Sequence, residues 1–235
     1  MELLAFGDTG YGDELFFGAL TTIQLAVFGY VLALALGLVF AVLALKGKGP
    51  RWWLFRVYAS IFTGVPSLLI IFLFYFGGAE LVRSLLAPIG INVRLDVSPF
   101  TAGVAALGLV YAAYLGDLIR SAIINVPRGQ FEACEALSVP RRHMWLSVVL
   151  PQAFRIALPG LVNTWIVLLK DTALVSLAGL NDLIANAKVA AGSTKEPFVF
   201  FTAALLFFVV IATVTLPLVN RVARRLERGQ RRAEV

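Results

Sequence analysis

LFFGALTTIQLAVFGYVLALALGLVFAVLAL, residues 15–45, contains no Asp, Glu, Lys or Arg. A helix crosses a bilayer with about 20 consecutive apolar residues, and this run has 31. Further charge-free stretches cover 57–79, 97–116 and 197–220. A shorter one, Ile156–Leu169, is interrupted by Lys170-Asp171 and resumes from Thr172 to Asn181. The pattern predicts an all-α integral membrane protein, a single transmembrane domain over 1–235. Its five spans fall at about 16–45, 57–79, 97–120, 156–180 and 198–220, the fourth with a charged break near its middle. Composition agrees: 60% of the chain is hydrophobic and 14% charged, with mean hydropathy +0.87. Soluble domains average about 45–50% apolar and about 25% charged. The first run is not a signal peptide, because residues 1–14 carry only Glu2, Asp8, Asp13 and Glu14 and lack a basic leading segment.

Charge sets the orientation. The first inter-span loop carries Lys46, Lys48, Arg51 and Arg56. The third, with its flanks, carries Arg120, Arg128, Arg141, Arg142 and Arg155. The tail over 221–235 adds Arg221, Arg224, Arg225, Arg228, Arg231 and Arg232. Only Arg83, Arg94, Lys188 and Lys195 lie on the other side. Fifteen against four puts loops 1 and 3 and the C-terminus in the cytoplasm and the N-terminus outside. The same segregation accounts for the net charge of +6 without nucleic acid. Gly29, Ala33, Gly37 and Ala41, and Gly108, Ala112 and Gly116, form small-residue ladders that allow close helix packing in lipid.

The third loop, 125–152, is richer than a connector. Pro127 suits a helix start. Ser138 can cap a second helix with Pro140 in its first turn. Pro140 also holds Val139 extended, so the chain bends between two short helices, and such a knob suits docking in a partner's groove. Glu132, Ala133, Cys134, Glu135 and Arg141 are its polar or small candidates for contact, with Glu132 expected to cap or pair within the first of the two helices. His143 is the sole histidine and Cys134 the sole cysteine, so neither a metal cluster nor a histidine-based hydrolase is expected. No Gly-x4-Gly-Lys-Ser/Thr phosphate loop occurs. Inside the membrane, Asp171, Thr172 and Ser176, with Asp117, are candidates to line a polar pathway, because buried ionisable groups there seek a cavity or a partner. Thr172 and Ser176, one α-turn apart, are expected to face the same space. Internal pairing of Asp117 with Arg120 is the plainer alternative.

Glu132-Ala133-Cys134, Ser138, Val148, Leu150 and Pro151 keep the spacing of a known loop. It resembles the Glu-Ala-Ala-x3-Gly-x9-Ile-x-Leu-Pro loop of bacterial ABC importer permeases. Cys134, Ser138 and Val148 stand where that pattern has Ala, Gly and Ile. If the glycine is left-handed in the family, Ser138 carries a strain of about 1–2 kcal/mol. Gly64-Val65-Pro66 with Leu68, Tyr114 to Arg120, Lys170-Asp171-Thr172 with Leu174, and Gly192 to Phe198 also resemble segments of the polar amino-acid permeases. The histidine/lysine/arginine/ornithine and opine types are the most similar. The resemblance implies a type I importer permease fold with a cytoplasmic coupling loop, in a bacterial cytoplasmic membrane. It implies a second permease subunit, identical or similar, and two ATPase subunits that bind ATP and Mg, so this chain itself holds no cofactor. It also implies an extracytoplasmic substrate-binding protein and uptake by alternating access. Acidic or neutral amino acids, or a channel or scaffold not driven by ATP, stay open as alternatives.

Overall fold

The computed structural model describes residues 2–7, 10–89 and 97–227, and among them the chain is helical with no strand. Helix α1 spans Gly12–Ala44, α2 Pro50–Gly64, α3 Ser67–Leu86 and α4 Pro99–Ile124. The short α5, Arg128–Ala136, follows. Then come α6, Arg141–His143, a π-helical turn over Met144–Val149, α7, Leu150–Asp171, and a 3-10 segment over Thr172–Ala178. The chain continues through α8, Leu183–Thr194, to α9, Pro197–Glu227. The last residues of the basic tail, 228–235, and Arg94 of the charge count lie outside the described residues.

Helices α1 and α4 form the spine. Along α1 the buried positions include Gly29, Ala33, Gly37 and Ala41, and along α4 Gly108, Ala112 and Gly116. A Cβ on Gly37 would lie 2.9 Å from Leu115 Cβ and 3.1 Å from the Gly116 nitrogen. Only glycine admits this approach. The small-residue ladders are therefore the contact between the two helices, which in lipid draws its strength from packing. The outward face of α1 exposes Phe28, Val31, Leu38, Val39 and Val42, as a lipid-facing surface does.

Two spans differ from the expected outline. The second, expected as one helix over 57–79, is the pair α2 and α3, bent by 99°. Pro66 has no N–H and holds Val65 extended at φ −96° and ψ 134°, so the helix cannot run through. The fourth, expected over 156–180 with a break at Lys170-Asp171, is instead one helical run over Arg141–Ala178. Charge alone does not break a helix. Asp171 keeps helical angles, φ −70° and ψ −14°, and the run stops at left-handed Gly179, φ 90°. The π turn lies just before Pro151, which cannot donate to the carbonyl four residues back.

The same-side grouping of the loops is visible in contacts. Arg120 Nε donates to the Ala44 carbonyl at 2.8 Å, tying the end of α1 to α4. Leu45 packs with Ile123, Val126 and Val149. At the opposite end, Asn186 Nδ2 donates to the Glu14 carbonyl at 2.6 Å, and Thr22 Oγ1 accepts the Leu183 N–H at 3.2 Å. Helix α8 thus packs on the N-terminal end of α1. Its N-cap, Asp182, accepts the Ala185 N–H at 2.9 Å and the Ser176 hydroxyl. Burial pushes the Asp182 carboxyl above the usual carboxylate range.

Candidate functional site

The bend in the second span makes a chamber. The N-terminus of α3 brings Ser67 towards α4, which supplies Tyr111 and Tyr114, and towards α7, which supplies Asn163, Thr164, Val167 and Asp171. Together they enclose a cavity of about 270 Å³. Tyr111 Oη donates to Asp171 Oδ2 at 2.9 Å, which fixes the carboxylate and leaves its other oxygen for a ligand. The rings of Tyr111 and Tyr114 lie 5.8 Å apart. Thr164 Oγ1 donates to the Gly160 carbonyl at 2.8 Å, and Asn163 is exposed. One carboxylate, two tyrosines and a helix N-terminus thus converge. The carboxylate and the ring faces attract a cation, and the first N–H groups of α3 attract an anion. A second cavity, about 470 Å³ between α1, α4 and α7, is lined only by apolar residues such as Leu34, Ile119 and Phe154. It offers a polar solute nothing.

Of the expected pathway residues, Asp171 lines this chamber and three do not. Thr172 is buried and donates to the Leu169 carbonyl at 2.7 Å. Ser176 donates to Asp182. Their segment is a 3-10 helix. With about three residues per turn, positions four apart point about 120° away from each other, so the shared space expected of two hydroxyls on an α-helix does not form. Asp117 is half-buried on α4 outside the chamber. It makes no ion pair with Arg120, whose guanidinium reaches Ala44 instead. Lys170 is exposed towards an apolar hollow between α7 and α9. Ser67, Tyr111, Tyr114, Asn163 and Thr164 were not assigned from sequence. Their signals were Pro66 immediately before Ser67 and two adjacent polar residues, Asn163-Thr164, inside an apolar stretch.

The third loop folds into the two expected helical units with a different joint. The second begins at Arg141 with Pro140 as N-cap, so Ser138 does not cap it. Ser138 sits at φ 52°. Its N–H donates to the Glu135 carbonyl at 3.0 Å and the Val139 N–H to the Cys134 carbonyl at 2.9 Å. This pair of bonds is a Schellman closure of α5, whose left-handed position glycine usually fills. Cys134 is the buried residue of α5. Glu132, Ala133, Glu135, Ser138 and Arg141 are exposed, Leu137 is 78% exposed, Leu150 39%, and Pro151 half-buried. Glu132 neither caps α5 nor pairs within it: the cap is Pro127, with no side-chain bond, and the ion pair present among the described residues is Arg83–Glu80. The inner side of the loop is clamped. Phe131, Met144 and Trp145 pack on Ile123 of α4, on Val126 just beyond it and on Ala153 of α7. Gln152 Nε2 donates to Gln130 Oε1 at 3.2 Å. Helix α5 is thus packed against the ends of the two helices that carry Tyr111 and Asp171.

Comparisons with known proteins agree with this architecture. Residues 33–228 match the family described as binding-protein-dependent transport system inner membrane component. The nopaline transport system permease protein NocQ of Agrobacterium fabrum (strain C58) is 38% identical over 220 residues, 92% of either chain. The arginine ABC transporter permease protein ArtQ of Escherichia coli (strain K12) is 38% identical over 223 residues, 90% of this chain and 94% of that one. Among solved structures, a crystal structure of an amino acid ABC transporter with histidines matches with a TM-score of 0.76 and 28% identity, covering 92% of this chain and 95% of that chain. The fold is that of the type I importer permeases, and the chain belongs to the family of inner-membrane permease components of binding-protein-dependent transport systems.

Proposed function

We propose that this chain is the permease subunit of an ATP-driven importer that carries basic amino acids or opines, with the chamber at Asp171 as its substrate site. The observation that carries the reading is the Tyr111–Asp171 pair facing the α3 N-terminus in one polar cavity. A cationic side chain meets the Asp171 carboxylate and the tyrosine faces. The α-carboxylate of the same solute meets the positive end of α3. Half-helix termini at a bend are a general transporter device for anionic groups. The relatives named for arginine and nopaline support this class over acidic or neutral amino acids.

The mechanism follows from the clamp. Substrate arrives on an extracytoplasmic binding protein. Two ATPase subunits, which hold ATP and Mg, dock on the exposed face of α5 around Glu132, Ala133 and Glu135. Their closure moves α5, and the packing at Phe131 and Trp145 passes the shift to α4 and α7. The second permease subunit moves in the same way, and the chamber alternates between the two sides of the membrane. The driving force is the difference in contacts between the two states. In this reading the N-terminus lies outside and the C-terminus in the cytoplasm, as the asymmetry of basic residues between the loops supports.

The test is co-purification of tagged protein in mild detergent, followed by uptake into proteoliposomes made from the recovered complex. An ATPase and a second permease are recovered with wild type and depleted by Glu132→Ala. Labelled arginine enters, and lysine or ornithine competes where glutamate does not. Recovery of the chain alone would contradict the ATP-driven reading. Equal competition by glutamate would contradict the cationic chamber.

A further inference from the structure

We propose that the loop between α1 and α2 is a binding site for the phosphate headgroup of an anionic phospholipid. Lys46, Lys48 and Arg51 line one cavity of about 430 Å³ whose floor is Val42 and Leu43. No acidic residue lines it, and none of the three cations makes an ion pair among the described residues. Their convergence is built into the backbone. Gly47 and Gly49 stand at φ 62° and φ 88°, and these left-handed positions, which glycine enters freely, curl the loop so that the three cations face one space. The guanidinium of Arg120 backs the curl: a Cβ on Gly47 would meet it at 3.0 Å.

The floor identifies the occupant. Val42 is 56% exposed and Leu43 39%, and both end the apolar α1. The basic cavity is therefore continuous with the lipid-facing surface of that helix. Trp53 and Leu54, which follow Arg51 within two and three residues on α2, are 65% and 67% exposed, and interfacial aromatics commonly anchor a helix at the membrane surface. A free phosphate would use the cations and leave the apolar floor bare, whereas a phospholipid uses both. Juxtamembrane lysines and arginines each strengthen attraction to anionic lipid, and three together amount to about 100-fold in affinity. The site depends on membrane insertion alone and stands apart from the transport reading.

The test places the full complex in nanodiscs of phosphatidylcholine with phosphatidylglycerol and counts retained lipids by native mass spectrometry. Three variants are compared: Lys46→Gln/Lys48→Gln/Arg51→Gln, Arg228→Gln/Arg231→Gln/Arg232→Gln in the tail, and Gly47→Val/Gly49→Val, which keeps every charge. Phosphatidylglycerol retention falls by at least an order of magnitude in the loop-charge variant, falls several-fold in the glycine variant, and is unchanged in the tail variant. Equal losses from loop and tail would show diffuse surface attraction and overturn the site. Undiminished retention in the glycine variant would overturn its geometry, and displacement of the lipid by millimolar inorganic phosphate would overturn its occupant. These outcomes are independent of whether arginine is transported.

Discussion

Two glycines on one helix face are predicted to respond to the same substitution with opposite signs. A Cβ on Gly29 would lie 3.5 Å from Leu107 Cβ, an ordinary contact, while one on Gly37 would lie 2.9 Å from Leu115 Cβ, 3.1 Å from the Gly116 nitrogen and 3.3 Å from the Ala112 carbonyl oxygen. The atoms facing Gly37 belong to backbone or to a Cβ, so no rotamer change can make room, and α1 must back away from α4. Overpacking of this kind costs about 1–3 kcal/mol. Replacing helical glycine by alanine returns about 0.5–1 kcal/mol at either position. Gly37→Ala is therefore expected to destabilise by about 0.5–2 kcal/mol and Gly29→Ala to stabilise by about 0.5–1 kcal/mol. In a thermal-aggregation assay of the detergent-solubilised protein, read by size exclusion, each kcal/mol shifts the midpoint by about 2–4 °C for a chain of this size. Gly37→Ala lowers the midpoint and Gly29→Ala raises it. Shifts of the same sign at both positions would refute the claim that α1 and α4 touch more closely at Gly37 than at Gly29.

The joint of the third loop and the α8 cap give two further tests. Ser138→Gly relieves the left-handed strain, less the extra unfolded-state entropy of glycine, for a gain of about 0.5–1 kcal/mol. Hydrogen exchange of the Leu137–Val139 amides slows accordingly, whereas Ser138→Val speeds it. At Asp182 the native carboxyl holds its proton to higher pH than the unfolded one. The native state therefore binds more protons across that window, and the contribution of this group to stability falls as pH rises through it. Asp182→Asn keeps an acceptor for Ala185 N–H and flattens that dependence without loss at neutral pH. Asp182→Ala removes both acceptor roles and costs about 1–3 kcal/mol. Thermal melts between pH 4 and 8, on the order of the range where carboxyls and histidines titrate, read both effects.

How far the fold could be read from sequence depended on whether a signal was local. Five apolar stretches and the loop spacing at Glu132 to Pro151 are local, and α1, α4 and α9 cover the first, third and fifth of those stretches. The bend at Val65-Pro66 was equally local, yet the hydropathy of 57–79 runs across it uninterrupted. A proline inside an apolar stretch outweighs that continuity because it removes a hydrogen bond and forces its predecessor to extend. At Lys170-Asp171 charge was read as a break; the α-helix does end at Asp171, but the helical run continues as a 3-10 segment to Ala178. The chamber was the least legible part. Its residues come from three helices, and which rotational face of α4 meets which face of α7 is set by tertiary packing. Asp171 stood out in the sequence because it is charged. Tyr111, whose hydroxyl holds it, looks in sequence like one aromatic among many. Thr172 and Ser176 were misassigned because their pairing assumed an α-helical turn in a segment that winds as 3-10.

The central claim is that Asp171 receives the cationic group of the substrate. Equilibrium binding of radiolabelled arginine to the permease–ATPase complex in nanodiscs, without binding protein, tests it directly for wild type, Asp171→Asn and Tyr111→Phe. A charge-assisted hydrogen bond contributes about 1.5–3 kcal/mol, so Asp171→Asn is expected to weaken arginine binding by about 10–100-fold. Tyr111→Phe weakens it less, since the carboxylate stays and only its positioning is lost. Wild-type affinity in Asp171→Asn, with the complex intact, would contradict the account.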